Sequence, residues 1–242
     1  MRIFIASFIP DEIKEKIVKI QEVINTTSDD TINFAPGTYE LAALGHGSFQ
    51  QYSLSPNKTY IFNNATIMGS GYEHKDAFRI ANGGNISFSG NLTIQNVKDG
   101  FYIGGSDYNN INLQGVTFNV SKNGIYMDNV LHDFSLTKAA VNIANCTAIG
   151  GEKLVRYDDL GSTITNKSPY ASVKSCILQN ITSTRGAIDV PKYWNPSPVN
   201  SEGFASTLSG EFVMLGNDEI NDNQLINCIA LSNPEDYPIY QS

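Results

Sequence analysis

A repeat is the feature that most narrows what this chain can fold into. Ile86 to Ile103 reads ISFSGNLTIQNVKDGFYI, and Ile111 to Met127 reads INLQGVTFNVSKNGIYM. One single-residue gap aligns them: Gly90 falls on Gly115, and Lys98 to Ile103 falls on Lys122 to Met127, 24 residues later. Weaker copies begin at Val141 (VNIANCTAIGG), Ser172 (SVKSCILQNITSTRGAIDV) and Gln224 (QLINCIA). Within each copy, apolar and polar residues alternate over short runs, the period of a strand with one buried face. Asn96, Asn119, Asn145, Asn180 and Asn227 recur just after apolar pairs. Asn and Gly tolerate the left-handed backbone that a sharp bend requires.

A period of this length, made of strands and bends without intervening helices, predicts a solenoid of stacked coils. One coil alone has unpaired edges and no core. Stacking pairs each strand with its equivalent one coil up, in parallel and ~4.8 Å away. The segment Asp30 to Leu41, DTINFAPGTYEL, then reads as the first coil. Pro36-Gly37 is its corner, and Ile32 and Phe34 point into the core.

The preceding segment predicts a helix over 11–25. Ile13, Ile17, Ile20 and Ile24 form one apolar stripe, while Glu12/Lys16 and Glu15/Lys19 pair on the other side. Asp11 and Glu12 suit its N-terminus. The open end of a coil stack exposes core and strand edges, so an amphipathic cap is expected there. The expected organisation is one domain over 1–242: a capping helix at 11–25, coils over 30–190, an inserted loop at 191–224 and a last strand at 225–232. The fold class is all-β, a right-handed parallel β-helix.

Composition excludes several function classes. The net charge of −8 argues against nucleic acid or an anionic membrane surface as partner, since both repel it. No apolar run approaches the length needed to span a bilayer. MRIFIASFIP has no small-residue cleavage site, so no signal peptide is evident. The three cysteines, Cys146, Cys176 and Cys228, are widely spaced in apolar runs without CxxC or a nearby His. That pattern predicts buried, reduced thiols and neither zinc nor a disulfide framework.

The amphipathic helix with IQEVI, then DTINFAPGTYEL, then Asn-bearing coils, resembles the start of a β-helix of the pectin-lyase-like superfamily. It is also similar to the repeats of adhesin-like surface proteins. The resemblance covers roughly residues 11–190 and implies the fold. It does not select among the lyases, hydrolases, epimerases, tailspikes and adhesins built on it. The first 22 residues also resemble two-histidine phosphoesterases. That chemistry needs two H-x-[ST] motifs, and only His46 supplies one (HGS), against HKD at His74 and HDF at His132.

The resemblance implies paired Asp side chains for a hydrolase, or a Lys/Arg base beside calcium-binding acids for a lyase. No compact hydrolase signature such as Asn-Thr-Asp or Gly-His-Gly is present. Asp158-Asp159 are adjacent, and neighbours on a strand face opposite ways, so the pair reads as a solvated turn. Register says more. With Phe101 and Ile103 inward, Tyr102 points out, and one coil up so does Tyr126. Continuing the stack puts Arg156 and Asp189 in the same outward column, with Asp128 and Asp158 in the next.

Rings, a guanidinium and carboxylates on a shallow sheet suit a saccharide track. The same groups also suit a ladder that only stabilises the sheet surface. Tyr193 and Trp194, in the proline-rich run after the coils, are placed to wall one side of it, or to anchor the loop.

The expected function is an extracellular or cell-surface module binding carbohydrate or another surface partner, with no cofactor. The alternative is a polysaccharide lyase or glycoside hydrolase acting on acidic polysaccharide. For that alternative the candidates are Arg156 or Lys153 as base and Asp128 or Asp158 at a calcium ion. Nine Asn-x-Ser/Thr sequons, at Asn25, Asn57, Asn64, Asn85, Asn91, Asn119, Asn145, Asn166 and Asn180, permit a glycosylated exterior.

Overall fold

Short alternating runs cannot bury their apolar side alone, and here they do so by lying on one another. The computed structural model describes residues 24, 28–41, 52–69, 76–80, 85–104, 110–128, 141–158, 171–183, 187–189 and 220–230. Every strand pairing among them is parallel, and the strands form a β-solenoid with three faces.

The first face stacks Thr31–Phe34, the leading halves of Lys58–Met68 and Asn85–Gln95, then Asn110–Gln114, Val141–Ala144, Ala171–Lys174 and Ile220–Asn221. The second stacks Gly37–Glu40, the trailing halves of the two long strands, Val116–Asn119, Thr147–Ile149, Ile177–Gln179 and Gln224–Ile226. The third stacks Tyr52–Ser53, Asp76–Ile80, Asp99–Gly104, Asn123–Asp128, Lys153–Asp158 and Ile188–Asp189.

The expected register holds. Leu92 lies opposite Val116, and Phe101 opposite Ile125. Ile32, Phe34, Leu92, Ile94, Phe101, Ile103, Val116, Phe118, Ile125, Met127, Val141, Ile143 and Ile188 are all buried. Aromatic rings fill the early coils. Phe34, Phe62 and Phe88 stack in sequence, with centroids 4.4 and 5.0 Å apart. Phe88 also meets Phe78 and Phe101 edge-on at 5.1 and 4.9 Å, tying the first face to the third. Later coils replace the rings with Leu113, Ile143 and Val173.

Two corners explain the Asn and Gly pattern, and they separate residues that the sequence reads as one set. Between the first and second faces the residues of positive φ are Gly37, Asn64, Gly90, Gly115, Asn145, Ser175 and Asp222. Between the second and third they are Asn96, Gly150, Gly151, Asn180 and Asn227. Asn119 is a correction. It ends the strand Val116–Asn119, and its carbonyl accepts from the Asn96 amide one coil away. Gly90, with φ of 100°, is required twice over, because a β-carbon there would run into the Phe62 carbonyl.

The expected capping helix lies outside the described residues except for Ile24, which is buried and whose carbonyl accepts from Ser55 Oγ. Strand pairing resumes at Ile220, inside the stretch that reads as loop. Its Leu225 is packed against the core, so Gln224–Ile226 is a coil strand like those before it. Cys146 and Cys176 are buried and unbridged, whereas Cys228 is only half-buried. Cys228 belongs to the last described coil, and no further described coil stacks over it. No described helix is long and apolar enough to cross a membrane.

Candidate functional site

The third face carries a continuous outward column. Its backbone register runs Arg79, Tyr102, Tyr126, Arg156 and Asp189 on successive coils. Inward neighbours Phe78, Phe101, Ile125 and Val155 are buried, which fixes the intervening residues as outward. The guanidinium carbon of Arg79 lies 5.2 Å from the Tyr102 ring centre. Tyr102 and Tyr126 meet edge to face at 5.6 Å. Arg156 then sits 5.4 Å from the Tyr126 ring centre. The order is therefore cation, ring, ring, cation over three coil steps of ~4.8 Å each.

Local sequence explains how the rings lie. Gly104 follows Tyr102 by two residues on the same side of the strand, and a β-carbon there would collide with the Tyr102 ring. The missing side chain lets the ring lean along the strand. One position beyond, the backbone places Asp128 beside both Gly104 and Asp158.

Arg79 was not among the expected site residues. Its signal is in the sequence, because DAFRI at 76–80 matches DGFYI at 99–103 in the Asp, Phe and Ile that set the register. Lys153 sits elsewhere than Arg156. It is buried at the head of the third-face strand Lys153–Asp158, and its Nζ donates to Ser183 Oγ at 3.0 Å. Tyr193 and Trp194 lie outside the described residues. Among the described residues no group of three or more His, Cys, Asp or Glu side chains is placed to hold a metal ion.

A second column heads the same strands, three residues upstream of the first. Asp76, Asp99, Asn123 and Lys153 are stacked in register. Asp99, Asn123 and Lys153 are buried. Asp99 Oδ1 accepts from the backbone amide of Asn123 at 3.0 Å and from its Nδ2 at 2.7 Å. Asp99 Oδ2 has the Lys98 ammonium 3.4 Å away but no hydrogen-bond geometry with it. Asn123 Oδ1 is likewise buried without a hydrogen-bond partner.

Burial, followed by the charge of Asp99, pushes the Asp76 carboxyl up to about 7, against the pull of Lys98 and Arg79. The sequence gives no sign of this column, since KDG and KNG read as ordinary turns.

Chemically, the outward column offers flat apolar surface bracketed by fixed cations, which suits stacking on a ring and hydrogen bonding to hydroxyl or anionic oxygens. The inner column offers a buried carboxyl, Asp99, beside a half-buried one, Asp76. No family profile, curated protein or solved structure matches this chain.

Proposed function

We propose that this chain is a β-helix module of the pectin-lyase-like kind that acts at an extracellular or cell surface and binds carbohydrate along its third face. The coil is taken as right-handed, the hand that parallel connections within one sheet nearly always follow. One observation carries the reading: the unbroken Arg79–Tyr102–Tyr126–Arg156 column on the outward side of the sheet. Sugar rings stack on the tyrosines, and the two guanidiniums bond oxygens at either end of the bound segment. The backbone register puts Asp128, Asp158 and Asp189 beside or above them.

The test is a glycan array of wild type against the Tyr102→Ala, Tyr126→Ala double variant, run beside an assay for unsaturated products from acidic polysaccharides. Binding by wild type and its loss in the variant support the reading. Equal binding by both proteins overturns it. Unsaturated products would make the module a lyase.

A further inference from the structure

Asp76 and Asp99 face each other across two adjacent coils, Cα partners at the head of Asp76–Ile80 and Asp99–Gly104. They leave adjacent coils at the same register position, and, after burial, the charge of Asp99 is among the causes that raise the Asp76 carboxyl. Two carboxylates so placed repel, and Asp99 is fully buried, where water cannot screen the repulsion. Asp99 Oδ1 is already occupied by the two donors of Asn123. Its Oδ2 is a buried acceptor without a hydrogen-bond donor, which is costly unless something donates to it. A proton on Asp76 supplies that donor and removes one of the two charges at the same time.

We propose that Asp76 and Asp99 share a single proton across the two coils, so that this corner of the solenoid is held more tightly in acid than at neutral pH. The surrounding charges define what the proton works against. Lys98 lies 3.4 Å from Asp99 Oδ2, and Arg79 is three residues along the Asp76 strand. Both cations favour the ionised pair.

On the far side of Asp99, the coil contributes neutral Asn123. Lys153, one coil further, is bonded to Ser183. On the other side of the Asp76 strand, Tyr52–Ser53 contributes only the buried phenol of Tyr52, opposite Phe78. Burial and the second carboxylate outweigh the two cations, and the Asp76 carboxyl is raised from 3.8 to about 7. A raised folded-state value means the native state holds the proton more tightly than the unfolded chain. Its contribution to stability is complete below 3.8 and is lost as pH rises through about 7.

The experiment is thermal unfolding of the full chain and of Asp76→Asn at pH values from below 3.8 to above 7. The asparagine amide donates to Asp99 Oδ2 at every pH and carries no charge. The melting temperature of the variant relative to wild type should therefore climb across that window. A difference that does not change with pH overturns the proposal. A carboxyl-carbon NMR titration of wild type provides a second reading that needs no variant. An Asp76 midpoint near 7 supports the shared proton, and a midpoint near 3.8 overturns it.

Discussion

Tyr102 and Tyr126 lie edge to face on adjacent coils, their ring centres 5.6 Å apart and their planes at 65°. Each ring also receives a guanidinium, from Arg79 and Arg156 respectively. Both rings are half-buried on the outward side of a face whose core is complete without them. Replacing Tyr126 with Ala should cost the fold less than ~1.5 kcal/mol, the scale of one aromatic pair and one exposed cation–π contact. It should weaken saccharide binding by about 1 kcal/mol, roughly fivefold in Kd. Urea unfolding and titration calorimetry separate the two effects.

Phe88→Ala tests the core. This ring touches Tyr60, Phe62, Phe78 and Phe101 and is 1% exposed. Its removal opens a cavity between the first and third faces, at an expected cost of ~3–5 kcal/mol in denaturant unfolding. A loss under 1 kcal/mol would mean that the ring stack does not form.

Gly90→Ala tests the first corner. The new methyl group meets the Phe62 carbonyl, and the backbone there has φ of 100°. The strain should cost at least ~1–3 kcal/mol. The same change at Gly150, also left-handed but with open space around it, should cost less, and the difference in denaturation midpoint measures the collision alone.

Tyr52→Phe should stabilise the protein. The Tyr52 hydroxyl is buried without a hydrogen-bond partner, and such an orphan costs ~1–3 kcal/mol. Burial, then the neighbouring Tyr39, raises its phenol well above 10.0. The native state therefore resists its ionisation, and wild-type stability should fall as pH rises past 10.0, more steeply than that of the Phe variant. Melting curves on both sides of that pH check this.

Thiol accessibility should divide the cysteines. The neighbouring Cys176 thiol, reinforced by burial, holds the Cys146 thiol well above its ordinary value, and both side chains are sealed in the core. Cys228 is half-buried. Native-state alkylation should label Cys228 first, leaving Cys146 and Cys176 until unfolding. Rapid labelling of all three would contradict the stacking at this corner.

The sequence made the coil register legible wherever two copies kept both glycine and apolar spacing, as Lys98 to Ile103 and Lys122 to Met127 do. Those two copies place Tyr102 over Tyr126, and continuing the stack onto Val155-Arg156 and Ile188-Asp189 extends the column to Arg156 and Asp189. Arg79 was missed because its copy replaces Gly100 with Ala77 and Tyr102 with Arg79, leaving only Asp, Phe and Ile in common.

The Asp76–Asp99–Asn123–Lys153 column was hidden for a different reason. Polar residues at a bend look the same in sequence whether the bend faces water or the next coil, and only stacking decides. Asn119 misled similarly, since an Asn can close a strand as readily as it turns a corner.

Coil length varies unevenly along the stack. From the first face to the third, three middle coils use nearly constant lengths, 15 residues from Ile86 to Phe101 and 14 from both Ile111 to Ile125 and Val141 to Val155, while the coils on either side use 20 from Lys58 to Phe78 and 17 from Ala171 to Ile188. Equivalent third-face residues nevertheless lie 23 apart between Phe78 and Phe101, 24 between Phe101 and Ile125, 30 between Ile125 and Val155, and 33 between Val155 and Ile188. The step from 24 to 30 falls after the outward column and before the next first-face strand, and the last three residues fall between the first face and the third. Insertions there leave every rung of the ladder in phase, as a bookshelf keeps its spacing whatever stands on it. The fold thus separates two kinds of inheritance: a stack whose side chains must match their neighbours above and below, and connections between coils whose length is free to change one at a time.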